Sequence, residues 1–208
     1  MTERGKFITL EGGEGVGKST QVKALAKALQ ARGIDVLLTR EPGGSDGAER
    51  IRELLLTGGD DRWGAEAEAL LFAAARADHV EKTIGPALAR GAWVLCDRFI
   101  DSSLAYQGGA GGLGIEEVRA INGFGLKDEF PDRTLVLTLA QGTERARARD
   151  GGDPDRIGGR SADYHRKVDA AFRIIAAEEP GRVRLIDGSG NEQEVTARLI
   201  KAIEDLLS

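Results

Sequence analysis

The run Gly12-Gly13-Glu14-Gly15-Val16-Gly17-Lys18-Ser19 constrains this chain more than any other stretch. Its spacing, G-x-x-x-x-G-K-[ST], is that of a nucleotide phosphate loop. An apolar run, Phe7-Ile8-Thr9-Leu10, precedes it, and a helical pattern opening on Thr20-Gln21-Val22 follows. The glycines let successive backbone N–H groups turn inward around phosphate oxygens with no Cβ in the way. The helix behind the loop aims its positive end at the same anion. Lys18 adds a full charge toward the β- and γ-phosphates, and the Ser19 hydroxyl is placed to ligate Mg²⁺. Gly12 through Ser19, with Thr20 at the start of the helix, are therefore the expected nucleoside triphosphate loop. Such a loop works only between a strand and a helix, so it commits the chain to an α/β architecture.

The rest of the sequence agrees with that commitment. Apolar strand patterns recur at Ile34–Thr39, Trp93–Cys96, Leu135–Leu139 and Arg182–Ile186, with helical periodicity between them. Helices are expected near 48–56, 65–90 with a kink or division at Gly85-Pro86, 115–125, 162–178 and after an Asn191/Glu194 capping box. Five strands alternating with helices predict a five-stranded parallel sheet flanked by helices on both faces, in one domain spanning residues 1–208. The net charge of −5 argues against a general nucleic-acid binder. The single Cys96 excludes an internal disulfide and suits a reducing compartment. With no signal-peptide core and no apolar run of membrane-spanning length, the expected location is cytoplasmic, with no membrane partner.

A phosphate loop says what is bound and not what is done with it. Val94-Leu95-Cys96-Asp97-Arg98 supplies the next signal. An apolar strand ending in Asp is what a Mg²⁺-side carboxylate needs, because the strand's carboxyl end lies beside the phosphate loop. Arg98 would emerge near the same phosphates. Directly after come Asp101-Ser102-Ser103-Leu104-Ala105-Tyr106-Gln107-Gly108-Gly109, which place hydroxyls, an aromatic and a carboxamide able to read a base edge. No Asn-Lys-x-Asp follows a strand, which argues against a guanine-nucleotide switch.

The run from Asp97 to Gly108 resembles the signature of thymidylate kinases. So do Thr39-Arg40-Glu41-Pro42-Gly43-Gly44 and Phe72-Ala73-Ala74-Ala75-Arg76, in the family's order. The resemblance implies a P-loop kinase fold with a small mobile lid at roughly 142–160, and transfer of the γ-phosphoryl of ATP to dTMP with Mg²⁺. It implies that Phe72 stacks on the acceptor base, Arg76 reaches thymine O4, Gln107 reads N3, and Ser103 lines the same site. Tyr106 would crowd the sugar 2′ position, Arg98 and Arg52 would hold the acceptor phosphate with Arg40 nearby, and Glu14 would lie near the 3′-hydroxyl. It further implies Ser19 and Asp97 on the metal, and a homodimer with no stable nucleic-acid partner.

Some relatives carry an arginine in the phosphate loop, where this chain has Gly15, so the sequence resembles the subgroup that brings its catalytic arginine from the lid. Arg149 and Arg156 are the candidates, then Arg147. Arg145 reads as a solvated helix end. The stretch from Asp150 to Asp155 is longer and richer in Gly than in many relatives, and Gly158-Gly159 replace a common acid. His165 reads as structural and His79 as a helix-face residue, with no second His or Cys at ligand spacing.

Overall fold

The computed structural model describes residues 3–59, 61–139 and 155–207. Strands β1 (Phe7–Glu11), β2 (Val36–Arg40), β3 (Trp93–Asp97), β4 (Arg133–Thr138) and β5 (Val183–Asp187) form one sheet in the order β2-β3-β1-β4-β5. Every neighbouring pair is parallel. The central strand β1 is buried at all its positions, as a parallel strand covered on both faces must be. Alternation along it feeds two cores. Ile8 and Leu10 pack with Val22, Leu25 and Leu29 of α1 (Lys18–Gln30) and with Val195 and Leu199 of the C-terminal helix Glu192–Ala202. Phe7 faces the opposite layer, built from Ile84, Leu88, Phe99, Val118, Val168 and Phe172.

The remaining helices are α2 (Asp46–Leu56), α3 (Ala65–His79), α4 (Gly85–Ala89), α5 (Ile100–Ser103), α6 (Ile115–Leu126) and α7 (Ala162–Glu178), so that Glu192–Ala202 is α8. Ser45 caps α2, its side chain accepting from Ala48 N, and the Asn191/Glu194 capping box at α8 is present. At Gly85-Pro86 the chain is not broken: α3 runs through a π-helical turn, Val80–Ile84, into α4. Pro86 sits in the first turn of α4, where the missing N–H costs nothing. A second π-helical stretch, Leu104–Ala110, follows α5 and carries Tyr106 and Gln107. No helix is expected from the sequence over this stretch; π-helical turns concentrate at functional sites.

The connection from β1 runs past β3 to β2, while that from β3 runs back past β1 to β4, so the order reverses between these neighbours and the crevice that ligands use in open α/β sheets opens at their carboxyl ends. Most of the expected lid, including Arg145, Arg147 and Arg149, lies outside the described residues. Among the described residues no helix is long and apolar enough to cross a membrane.

Candidate active site

The loop from Gly12 to Ser19 turns from β1 into α1. Gly12 adopts φ 131°, and a Cβ there would stand 2.4 Å from the Leu137 carbonyl oxygen, so only glycine fits. Lys18 is buried, and its Nζ donates to Gly13 O at 2.6 Å. Burial pushes the Lys18 ammonium down, with Arg98 adding to the shift against Glu14 and Asp97. Ser19 Oγ donates to Asp97 Oδ2 at 2.8 Å, joining the loop to the end of β3. Thr20 is exposed beside it.

Glu14 and Arg98 form the hinge of the site. Arg98 leaves β3 with φ 70°, a left-handed conformation that a non-glycine residue adopts only when its surroundings enforce it. Its Nη2 donates to Glu14 Oε1 at 2.6 Å, Nη1 donates to Gly12 O and Ser102 Oγ, each at 3.1 Å, and the guanidinium lies 5.1 Å over the Tyr106 ring. Tyr106 Oη donates to the same Glu14 oxygen at 2.9 Å. Burial pushes the Glu14 carboxyl up, but Arg98, Lys18 and Tyr106 override it and bring it down to about 2. For Arg98, burial pulls the other way and the Glu14 carboxylate leaves it raised. An acid in a phosphate loop is thus neutralised by its own neighbours.

One cavity runs from these groups to the side chains expected to read a base. Lys18, Ser19, Asp97 and Arg98 line one end, while Phe72, Arg76, Ser103, Tyr106 and Gln107 line the other, with Arg40 and Arg52 along the wall. Arg76 is held by four donations that leave one Nη1 hydrogen over: Nε donates to Glu41 Oε2 at 2.8 Å, Nη2 to Phe99 O at 3.1 Å and Ser103 Oγ at 3.0 Å, and Nη1 to Asn122. Arg52 donates to Pro42 O at 2.7 Å, and burial, then Arg40, pull its guanidinium down. Arg40 is more exposed and is held by Glu49.

His79, expected on a helix face, sits at the end of α3 and is fully buried there; it bridges Thr39 Oγ1 and Glu41 Oε1 behind Arg76. Arg156 does not line the cavity: its guanidinium is buried and spent on Glu68 and Leu55 O. His165 is buried in α7, as a structural residue would be, its Nε2 paired with Gly158 O. Glu68 and Asn122 are missing from the sequence expectations, and Glu41, which belongs to one of the matching runs, has no role there. For Glu68 a signal existed: Glu68, Phe72 and Arg76 are spaced i, i+4, i+8 and share one helix face. Asn122 carries no such signal, since α6 reaches the site only through packing.

Glu11, at the end of β1, is wholly buried beneath the loop and accepts from Phe99 N at 2.7 Å, with Ser102 Oγ 2.5 Å away. Burial first, then Asp101, push its carboxyl up to about 8. An unfolded glutamic acid gives up its proton near 4.5. Stability from this group is therefore full below that value and is lost as pH rises through about 8. Glu11→Gln keeps the oxygen that accepts from Phe99 N and Ser102 N, and its amide nitrogen can donate to Ser102 Oγ. Its melting temperature should match the parent near pH 5 and exceed it near pH 8.5, by on the order of a few kcal/mol of stability. Parallel pH profiles of the two melting temperatures would count against this assignment.

A phosphate loop and a carboxylate-arginine strand exit, sharing one cavity with an aromatic, an amide and arginines, define a P-loop kinase that phosphorylates a small acceptor. The family model for thymidylate kinase matches residues 10–199. A thymidylate kinase of Rhizorhabdus wittichii is 60% identical over 205 residues, covering 98% of this chain and 99% of that protein. One from Rhodopseudomonas palustris is 51% identical over 204 residues, covering 96% and 89%. The crystal structure of thymidylate kinase from Ehrlichia chaffeensis superposes with a TM-score of 0.79 at 32% identity, covering 97% of this chain and 99% of that one. The chain belongs to the thymidylate kinase family, whose members phosphorylate dTMP to dTDP with ATP.

Proposed function

We propose that ATP lies on the loop Gly12–Ser19 with Thr20, that dTMP fills the adjoining cavity, and that the two meet between Lys18, Asp97 and Arg98. The observation that carries this is the continuity of one cavity from Lys18 and Ser19 to Arg76 and Gln107. Phe72 offers a half-buried ring for the base, Arg76 donates toward O4, and Gln107 addresses N3. Ser103 keeps Arg76 in place. Tyr106 and Glu14 border the sugar, and Arg52 and Arg98 hold the acceptor phosphate. The nucleophile is a dTMP phosphate oxygen, already an anion at pH 7, so the site needs no strong base. In-line transfer then depends on positioning and on neutralising charge.

Ser19 Oγ and Asp97 Oδ2, 2.8 Å apart, are hard oxygen donors of the kind Mg²⁺ takes alongside phosphate oxygens and water. These two residues would hold the ion, which when bound neutralises charge on the triphosphate. Among the described residues no group of three or more His, Cys, Asp or Glu could hold a metal.

The working unit is one domain, 1–208, with a lid at roughly 142–160 that supplies Arg149, or Arg147, to the transferred phosphoryl. Its setting is the reducing cytoplasm, with Cys96 as a free buried thiol. Two copies pair through the α3–α6 layer, where Leu70 and Phe124 stand exposed at 57% and 97%; light scattering reads the resulting mass directly.

Steady-state kinetics with ATP and a panel of nucleoside monophosphates test the acceptor site. Gln107→Ala should raise the KM for dTMP by about tenfold or more, the cost of one buried hydrogen bond to the base. Its KM for ATP should stay within about twofold, because no donor-side group is touched. Unchanged dTMP kinetics would place the base elsewhere.

A further inference from the structure

Gln107 can offer a ligand either end of its carboxamide, and the two ends read opposite patterns. The choice is made behind it. Gln107 Nε2 donates to Glu68 Oε1 at 3.0 Å. An ionised carboxylate only accepts, so the NH₂ end must face Glu68, and the oxygen is the end left for the cavity that Gln107 lines.

Glu68 is itself fixed. Its side chain is 4% exposed, and its other oxygen accepts from Arg156 Nη2 at 2.5 Å and Arg160 Nη2 at 2.6 Å. Arg156 is anchored by donating to Leu55 O at 2.8 Å. Arg160 donates to Tyr164 Oη at 2.6 Å, and Tyr164 Oη donates to Tyr106 O at 2.8 Å, one residue before Gln107. Burial pushes the Glu68 carboxyl up, and Gln107, Arg156 and Arg160 override it, so it stays ionised and acceptor-only.

We infer that Glu68 is a positioning residue for acceptor recognition: by holding the Gln107 amide nitrogen it fixes the carboxamide oxygen as the acceptor offered to the ring N3–H of thymine. The arrangement disfavours cytosine, whose N3 is itself an acceptor. This rests on the dTMP site proposed above. It also gives the buried Arg156 a role away from the transferred phosphoryl, as a clamp on the carboxylate that orients the base reader.

Glu68→Gln keeps the size and an acceptor oxygen but adds a donor, which permits the Gln107 amide to turn over. Kinetics with dTMP and dCMP should show the KM for dTMP raised about tenfold, the KM for ATP changed less than about twofold, and the preference for dTMP over dCMP narrowed about tenfold. Added to Gln107→Ala, the same substitution should change these values by less than about twofold, because the group it acts through is gone. Should Glu68→Gln fail to fold, Glu68→Asp keeps the charge between the two arginines, draws it back from Gln107, and carries the same comparison. An unchanged base preference in the folded variant, or a full further loss on top of Gln107→Ala, overturns the inference. A Gln107→Ala enzyme with normal dTMP kinetics removes the base site, and this inference with it.

Discussion

Replacing Lys18 by Met is expected to slow dTMP phosphorylation about 10³-fold, the scale set by removing one preorganised charge from a developing transition state. The melting temperature should not fall. Lys18 is buried, burial already works against its charge, and its one hydrogen bond among the described residues is to a carbonyl of its own loop. A methionine of similar length fills the same space without that desolvation cost. Glu14 and Asp97, which the ammonium helps to balance, would then face the incoming phosphates with Arg98, at the exit of β3, still paired to Glu14. Turnover by purified Lys18→Met within about tenfold of the parent would exclude Lys18 from the phosphoryl-transfer step. A melting temperature several degrees lower would mean that the residue holds the loop together, and the rate loss could no longer be read as electrostatic.

The fold was legible where pattern and burial coincide. β1 and β3 are central, covered on both faces, and their apolar runs announce them. β2 is an edge strand with alternating partial exposure, and its apolar signal runs from Ile34 while the ladder covers Val36–Arg40. The phosphate loop reads correctly because its glycines are demanded by backbone geometry, as Gly12 against Leu137 shows. The π-helical stretch over Leu104–Ala110 was not legible, because glycines that break a regular helix are tolerated where packing against α7 and α6 holds the chain.

For the site, Phe72, Arg76 and Gln107, which line the cavity, were legible, and the carboxylates and amide that hold them were not. The three belong to short patterns whose chemistry is local. Glu41, Asn122 and Glu68 act across long sequence separations, Glu41 and Arg76 being 35 apart, Asn122 and Arg76 46, and Glu68 and Gln107 39. Those pairings exist only once the α/β layers are assembled. His79 illustrates the same limit: its spacing on α3 places it with Arg76, but nothing local says that Glu41 covers both.

Arg98→Met should cost both activity and stability, and the two losses should separate. The substitution leaves Glu14 facing the loop without its main partner, and that carboxyl, held at about 2, would rise toward its ordinary value. Because the Glu14 side chain is 34% exposed, water recovers part of the loss, and the expected destabilisation is about 1–3 kcal/mol, less than for a fully buried pair. Stability of the parent that depends on this pair is present above 4.5 and fades as pH falls toward about 2, so the difference between parent and variant should shrink in acid. Turnover should fall about 10³-fold, because the guanidinium proposed to hold the acceptor phosphate is lost along with the brace on Gly12 O and Ser102. Adding Glu14→Gln removes the stranded charge. The double variant should recover most of the melting temperature at pH 7 while its rate stays low, since no cation returns to the phosphates. Recovery of rate together with stability would assign Arg98 a purely structural role, as the counter-ion of Glu14, and leave the acceptor phosphate to Arg52.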